Sequence, residues 1–254
     1  MSSRGARGVE GSDQSTDDGE RSRAFELKFL LDVSTAQRLR AWAIAHLTAS
    51  PHVASMPDHA SVASTMYLDC AQLTPTQQAS RKSKSKSKSK YRIRRNGDST
   101  LLQVERSRSR GEMVATRACT IELAELACMR DAGNPTPWSG QWFHRRVQRL
   151  GLAPAAVVRY RRASYFADGV SGSCTLTLDD EIYAQPHSMW TWPNTDGSRR
   201  ILESSTILEL SFAAALPPLF KKFLAEFPQQ PTPLSKYRAA RDSFRRATLN
   251  DSNE

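Results

Sequence analysis

The stretch Lys90-Tyr-Arg-Ile-Arg-Arg95 decides how the rest of the chain is interpreted. In an extended strand, successive side chains point to opposite faces, so Lys90, Arg92 and Arg94 share one face. The apolar Ile93 lies on the other. Three cations on one face, backed by a face with an apolar residue, indicate a strand that packs on one side and meets an anion on the other.

Composition points to the same kind of partner. The chain has 254 residues with 36 Lys and Arg against 26 Asp and Glu, which gives a formal charge of +10. Such an excess favours phosphate, nucleic acid or a membrane surface as a partner. An apolar content of 39% is enough for a sizeable core in one large domain or two small ones.

The cysteines and the N-terminal residues indicate the cellular compartment. Four widely spaced cysteines without a CxxC pair argue against zinc or a disulfide framework and fit a reducing compartment. Residues 1–22 are rich in Ser, Gly, Asp and Arg, so we expect a disordered tail and no signal peptide. No segment approaches the roughly 20 apolar residues of a membrane helix. A cytoplasmic location is therefore predicted.

Alternation of apolar and polar residues predicts many two-faced strands. They are AFELKFLL (24–31), STMYLD (64–69), KYRIRR (90–95), LLQVER (101–106), 114–121, AAVVRYRRASYF (155–166), CTLTLDDEI (174–182) and TILELSF (206–212). Helices are predicted after Ser34 as N-cap and over 122–132, 141–150, 216–227 and 234–247.

The polar strand faces allow two interpretations. For any one strand, a polar face that meets water is the default. Here, however, Glu26, Lys28, Arg162 and Glu209 stand in the middle of otherwise apolar strands. If the sheet closes into a barrel with helices outside, these faces converge on a polar lumen rich in cations. A polyphosphate chain with a divalent metal ion would suit such a lumen.

Two basic segments outside these strands are interpreted more simply. The Lys-Ser repeat, residues 80–89, has nothing apolar to bury and is predicted to be a flexible solvated loop. The segment HRRVQRL, from His144, could contact nucleic acid, but no recognised nucleic-acid motif accompanies it. We therefore expect no specific nucleic-acid partner.

Seven motifs occur in an order that resembles a known family. They are FELKFLL, MYLD, KYRIRR, VVRYRR followed by Tyr165, LTLDDEI, ILELSF and LSKYRAA. This series, from about Ala24 to Phe244, is similar to the VTC domain of polyphosphate polymerases, a CYTH-like branch of the triphosphate tunnel metalloenzymes. The expected domain is 23–247, followed by a C-terminal tail at 248–254.

The resemblance implies a fold and an activity. The fold is α+β, a closed antiparallel β-barrel tunnel of about eight strands with a polar, basic lumen and flanking helices. The activity is transfer of the γ-phosphate of ATP to a growing inorganic polyphosphate chain with Mn²⁺ or Mg²⁺. Such chemistry depends mainly on charge neutralisation and positioning.

The resemblance also implies roles for individual residues. Expected catalytic residues are Arg92, Arg94, Arg162 and Glu209; expected substrate-binding residues are Lys28, Lys90, Tyr160, Ser235 and Lys236; expected metal ligands are Glu209 and Glu26.

Three positions depart from the family pattern. Hydroxyl side chains stand where the family has cations, at Ser107, Thr175 and Ser211. Arg106 or Arg108 could replace the charge at 107 if the strand bulges there. Two alternatives therefore stay open: hydrolysis of a nucleoside triphosphate or inorganic triphosphate in the same tunnel, and a catalytically weak module that binds polyphosphate or inositol phosphates. A membrane-protein partner is also left open.

Overall fold

The computed structural model describes residues 19–70, 88–131, 138–167 and 173–251. Its strands are β1 (Glu20–Asp32), β2 (Thr48–Ala49), β3 (Ala60–Cys70), β4 (Lys88–Asn96), β5 (Leu101–Arg110), β6 (Met113–Glu122), β7 (Leu152–Ala167), β8 (Cys174–Pro186), β9 (Arg199–Arg200) and β10 (Ser205–Phe212). Its α-helices are α1 (Val33–His46), α2 (Gln141–Leu150), α3 (Pro218–Glu226) and α4 (Lys236–Asp251), and two 3₁₀ helices span Pro57–His59 and Leu123–Met129.

Eight long strands close into one antiparallel barrel. Their order around the barrel is β7-β3-β4-β5-β6-β1-β10-β8, and pairing of β8 with β7 closes the ring. The short β2 and β9 extend the ladders of β7 and β8. Closure removes free edges from the sheet. The predicted α+β fold with a closed antiparallel barrel and flanking helices is confirmed.

The apolar faces of the strands pack outward against the helices. On one side, Phe29 of β1 and Leu208 of β10 join Trp42 of α1 and Phe223 of α3 in one buried cluster. On another, the outward residues of β4, β5 and β6 pack with α2 around Phe143. Because the helices cover these apolar faces, the polar faces of the same strands are left for the lumen.

A segment before α4 completes the wall beside β1. Strand β1 pairs with β6 only as far as Phe25, and beyond it the Glu26 N–H donates to the Glu112 carbonyl at 2.9 Å. The Thr232 N–H donates to the Lys28 carbonyl at 2.7 Å. Residues 231–236 therefore reach the lumen although they belong to no strand.

Both ends of the domain extend beyond the predicted bounds. β1 begins at Glu20, inside the expected 1–22 tail, because Glu20 to Arg23 pair with β6 through backbone groups that need no apolar pattern. Helix α4 continues to Asp251, inside the expected 248–254 tail, since neither Gly nor Pro stops it.

Three local predictions also change. The helix expected over 122–132 is the 3₁₀ helix Leu123–Met129. The N-cap of α1 is Asp32, whose carboxylate accepts the Thr35 N–H at 2.8 Å, and Ser34 lies inside the helix. Within the expected 80–89 loop, residues 88 and 89 belong to β4, since Lys88 pairs with Ser109; the rest of that loop lies outside the described residues.

None of the helices in the described ranges combines the length and the apolar character needed to cross a bilayer.

The packing of α3 on the barrel gives a stability prediction. Phe220 is fully buried in the cluster formed by α3, α1 and the outer faces of β1 and β10. Phe220→Ala should lower the free energy of unfolding by about 3 to 5 kcal/mol, from lost burial and the cavity left behind. Urea unfolding measures this. Leu249→Ala, at a position 65% exposed, is the control and should change it by less than about 0.5 kcal/mol. A loss below about 1 kcal/mol at Phe220 would contradict this packing.

Candidate active-site tunnel

The barrel encloses a cavity of about 440 Å³. All ten residues predicted for the site line it, namely Glu26, Lys28, Lys90, Arg92, Arg94, Tyr160, Arg162, Glu209, Ser235 and Lys236. Arg238 of α4, which the sequence did not indicate, adds a seventh cation to the lining. The polar and basic lumen is thus present, and strands distant in sequence contribute to it.

Glu105 of β5 holds two of the β4 arginines. Its carboxylate lies 2.5 Å from Arg92 Nη2 and 3.8 Å from Arg94 Nη2, and its side chain is almost fully buried. Burial would raise the pKa of Glu105, but Arg92 and Arg94 lower it below its usual value. Glu105 belongs to the predicted two-faced strand LLQVER, but the sequence pattern did not identify it as a counter-ion. Alternation with the apolar Leu102 and Val104 is the sequence signal that places Glu105 on the inner face.

Arg92 and Arg94 still have capacity to bind. The Nε atom of each is buried and has no hydrogen-bond partner among the described residues. An unsatisfied buried donor is costly, so an anion in the cavity that accepts from these atoms would gain free energy. The two arginines are therefore oriented by Glu105 and remain available to a ligand.

Asp179 of β8 forms a second buried anchor. Arg162 donates to it from Nε at 2.6 Å and from Nη2 at 2.7 Å, and Lys236 of α4 donates to the same carboxylate. Burial would raise the pKa of Asp179, but Arg162 and Lys236 lower it to about 2. The ionised Asp179 thus links Arg162 of β7 to Lys236 at the start of α4. Asp179 and Lys236 are 57 residues apart in sequence, and the sequence pattern did not predict their contact.

Tyr160 lies beneath these cations. Its ring centroid is 4.6 Å from Lys236 Nζ and 5.1 Å from the Arg162 guanidinium carbon, which is cation–π geometry. Its hydroxyl is 3.1 Å from Thr65 Oγ1. Burial would raise the pKa of Tyr160, but Arg162, Arg94 and Lys236 lower it to about 8. The surrounding field is therefore strongly positive.

The acidic part of the cavity is built around Lys28. Its ammonium group donates to Glu26 at 2.7 Å and also to Glu209. Burial would raise the pKa of Glu209, but Lys28, Arg162 and Lys236 lower it below its usual range. Because Lys28 gains two carboxylate partners, its own pKa is raised despite burial.

Glu26 and Glu209 are chemically suited to a divalent ion such as Mg²⁺ or Mn²⁺. Both offer hard carboxylate oxygens to the cavity, and such ions are often held by one or two carboxylates together with substrate phosphates and water. Among the described residues, no group of three or more His, Cys, Asp and Glu side chains is placed to hold a metal. These two carboxylates would therefore need further ligands, such as phosphate oxygens or water, to complete the coordination of such an ion.

Lys90 is a lumen cation without a counter-ion among the described residues. Within the described parts of the chain it forms no ion pair, and burial together with Lys28 and Arg92 lowers its pKa to about 8. It projects from β4 opposite Ser107 of β5, one of the positions where the sequence lacks a cation. The cavity thus has unpaired positive charge near Ser107.

Neither neighbouring arginine replaces the cation that is missing at position 107. β5 pairs with β4 and β6 without a register shift, so Ser107 faces the lumen while Arg106 and Arg108 project outward. The hypothesis that a bulge brings either arginine inward is wrong. Thr175 and Ser211 are direct cross-strand neighbours, on the strand faces that carry Asp179 and Glu209.

Comparison with known proteins agrees with this geometry. The sequence profile of the VTC domain matches residues 23–245. The chain belongs to the VTC domain family. No sequence among curated proteins matches this VTC domain protein.

Two solved structures are similar to this chain at low sequence identity. A candidate adenylate cyclase from Bacillus halodurans is 14% identical, with a TM-score of 0.50 over 85% of this chain and 95% of its own. A candidate adenylyl cyclase from Hippeastrum, described as having a dominant triphosphatase activity, is 12% identical, with a TM-score of 0.47 over 87% of this chain and 95% of its own. The first likeness supports the closed antiparallel barrel fold.

The environment of Lys90 predicts proton uptake on anion binding. With a pKa of about 8, Lys90 is partly neutral at pH 8.5, and a phosphate beside it would raise its pKa. Tripolyphosphate binding at pH 8.5 should therefore take up protons, measured by calorimetry in two buffers of different ionisation enthalpy. Affinity should weaken as the pH rises through 8 to 9.

The matched variant for this measurement is Lys90→Arg, which stays charged over the whole range. It should bind without that proton uptake. Equal proton uptake in Lys90→Arg and the wild type would show that another group titrates.

Proposed function

We propose that this VTC domain protein transfers the γ-phosphoryl group of ATP to a growing inorganic polyphosphate chain inside its barrel. The supporting observation is the convergence of seven cations on one enclosed cavity that also presents two carboxylates to an entering ligand. ATP and polyphosphate are the proposed partners, and the four free cysteines fit our proposal of a cytoplasmic location.

Anion binding would involve the cations of β4 and the two cations paired with Asp179. Lys90, Arg92 and Arg94 line the cavity from β4, while Arg162 and Lys236 line it from β7 and α4. Charged hydrogen bonds of this kind contribute about 1.5 to 3 kcal/mol each. Ser235, beside Lys236, would add its hydroxyl or backbone N–H at the start of α4.

The reaction needs little covalent help from the protein. A terminal oxygen of the polyphosphate chain forms a bond to the γ-phosphorus, the bond from that phosphorus to the β–γ bridging oxygen breaks, and ADP leaves. The attacking oxygen already carries negative charge, so a general base is not required. Arg92, Arg94 and Arg162 would hold the two anions in line and neutralise the charge that spreads over the equatorial oxygens.

Glu26 and Glu209 are the residues proposed to hold Mg²⁺ or Mn²⁺. A divalent ion held there would neutralise charge on the phosphate oxygens. The part of Lys28 is to keep both carboxylates ionised and oriented, since its ammonium donates to each.

Two alternatives follow from specific features. The hydroxyls of Ser107, Thr175 and Ser211 reduce the charge available in the transition state, and this favours a weakly catalytic module that binds polyphosphate or inositol phosphates. Hydrolysis of a triphosphate needs only water in place of the acceptor. Incubation with ATP and manganese, followed by separation of products by length on a gel, distinguishes long chains, free phosphate and no product.

Removal of an arginine from the lumen should weaken anion binding. Arg92→Ala should lower tripolyphosphate affinity by roughly ten- to a hundredfold, because a charged hydrogen bond in a confined site is lost. Calorimetry measures this. Arg95→Ala is the matched control, since Arg95 lies on the same strand and donates to the turn carbonyl of Ser99. Equal affinity in Arg92→Ala and the control would contradict binding in the tunnel.

Restoration of cations at two hydroxyl positions should raise turnover. Ser211 lies opposite both Thr175 and Glu26, so Ser211→Lys with Thr175→Arg would place two cations beside an existing carboxylate. Manganese-dependent turnover of ATP should rise by roughly tenfold or more, and Glu209→Gln in that background should abolish the gain. A folded double variant that binds tripolyphosphate with no gain in turnover would favour the binding module.

A further inference from the structure

Arginines form a second basic site on the outside of the barrel. Arg21 of β1, Arg117 of β6 and Arg106 of β5 are direct neighbours across three adjacent strands. Two residues farther along their strands, on the same outer face, Arg23 and Arg108 both pair with Ala115 of β6. We define the outer arginine surface by these residues and Arg146 of α2: Arg21, Arg23, Arg106, Arg108, Arg117 and Arg146.

The surface faces away from the tunnel. Arg106 and Arg108 alternate with Glu105 and Ser107, which face inward, and none of the six arginines lines the cavity. The Arg117 guanidinium lies 4.3 Å from the centroid of the Trp142 ring of α2, outside the sheet. A ligand on this surface would therefore not enter the tunnel.

The electrostatics at Arg106 indicate a site for an anion. Burial and the positive charges of Arg146, Arg108 and Arg117 lower the pKa of Arg106. Among the described residues, Arg106, Arg108 and Arg146 form no ion pair with a carboxylate, and the buried Nε of Arg106 has no hydrogen-bond partner. Like charges on adjacent strands destabilise a sheet. A bound polyanion would relieve this repulsion and satisfy the Nε donor.

We propose that the outer arginine surface binds an extended inorganic polyphosphate chain outside the tunnel. The inference rests on the proposed function, which supplies such a chain. Arg106 and Arg108 lie about 7 Å apart on one face of β5, and the charge of Arg146 acts on Arg106, so these arginines can contact several consecutive phosphates. Arg guanidinium groups match phosphate oxygens in pairs.

The surface favours polyphosphate over single-stranded nucleic acid. Proteins that bind single strands present aromatic rings on which bases stack. Two aromatic rings beneath this surface, Trp142 and Tyr91, are only 5% and 7% exposed, and Arg117 covers Trp142. Phosphate charge is thus the feature that this surface can recognise.

The test removes the surface charge without touching the tunnel. In Arg106→Ser/Arg108→Ser/Arg146→Ser, affinity for polyphosphate of about 100 units should fall about tenfold at low salt, and the slope of log affinity against log salt should shrink by about two. Tripolyphosphate affinity should stay within about twofold of the wild type. Arg108→Ser/Arg146→Ser, which leaves the half-buried Arg106, should show part of the loss if the triple variant unfolds.

A matched variant controls for net charge. Arg130→Ser/Arg199→Ser/Arg245→Ser removes three exposed arginines elsewhere, and long-chain affinity should change by less than about threefold. Equal losses in both triple variants would overturn the proposal. So would an oligonucleotide of equal charge that binds as tightly as polyphosphate and loses affinity equally. Failure of the proposed function would be a separate result, in which Arg92→Ala binds tripolyphosphate as tightly as the wild type does.

Discussion

Two buried carboxylates allow a closed barrel to hold an excess of positive charge. Burial of an unpaired ion costs several kcal/mol, so a lumen lined by cations alone would oppose folding. Glu105 holds Arg92 and Arg94, and Asp179 holds Arg162 and Lys236. Each carboxylate serves two cations, so the lumen stays positive while its arginines keep fixed orientations.

The ratio of cations to carboxylates also determines what the cavity can bind. Because each carboxylate serves two cations, the positive charge of Lys90, Arg92 and Arg94 is only partly balanced where these residues line the cavity. Around Lys28 the balance is reversed, since one cation serves two carboxylates. The cavity therefore has a cationic region suited to phosphates beside an acidic region suited to a divalent ion. This arrangement is what a triphosphate carrying a metal would need.

The sequence was enough to predict the barrel and its lining, because alternation assigns each strand residue to a face. It could not predict the counter-ions. Lys28 and Glu209 are 181 residues apart, and their contact depends on closure of the whole barrel. The resemblance implied that Ser235 and Lys236 reach the site, but no pattern indicated that residues 231–234 join the wall, where the Thr232 N–H donates to the Lys28 carbonyl. The outward direction of Arg106 depends on the uninterrupted register of β5, which only the structure shows.

The most direct test of the central claim is a crystal structure of the protein with tripolyphosphate. We expect phosphates inside the barrel, with oxygens within hydrogen-bond distance of Lys90, Arg92 and Arg94, while Glu105 keeps its contact with Arg92. Tripolyphosphate bound only outside the barrel, with these three lumen groups unoccupied, would contradict it.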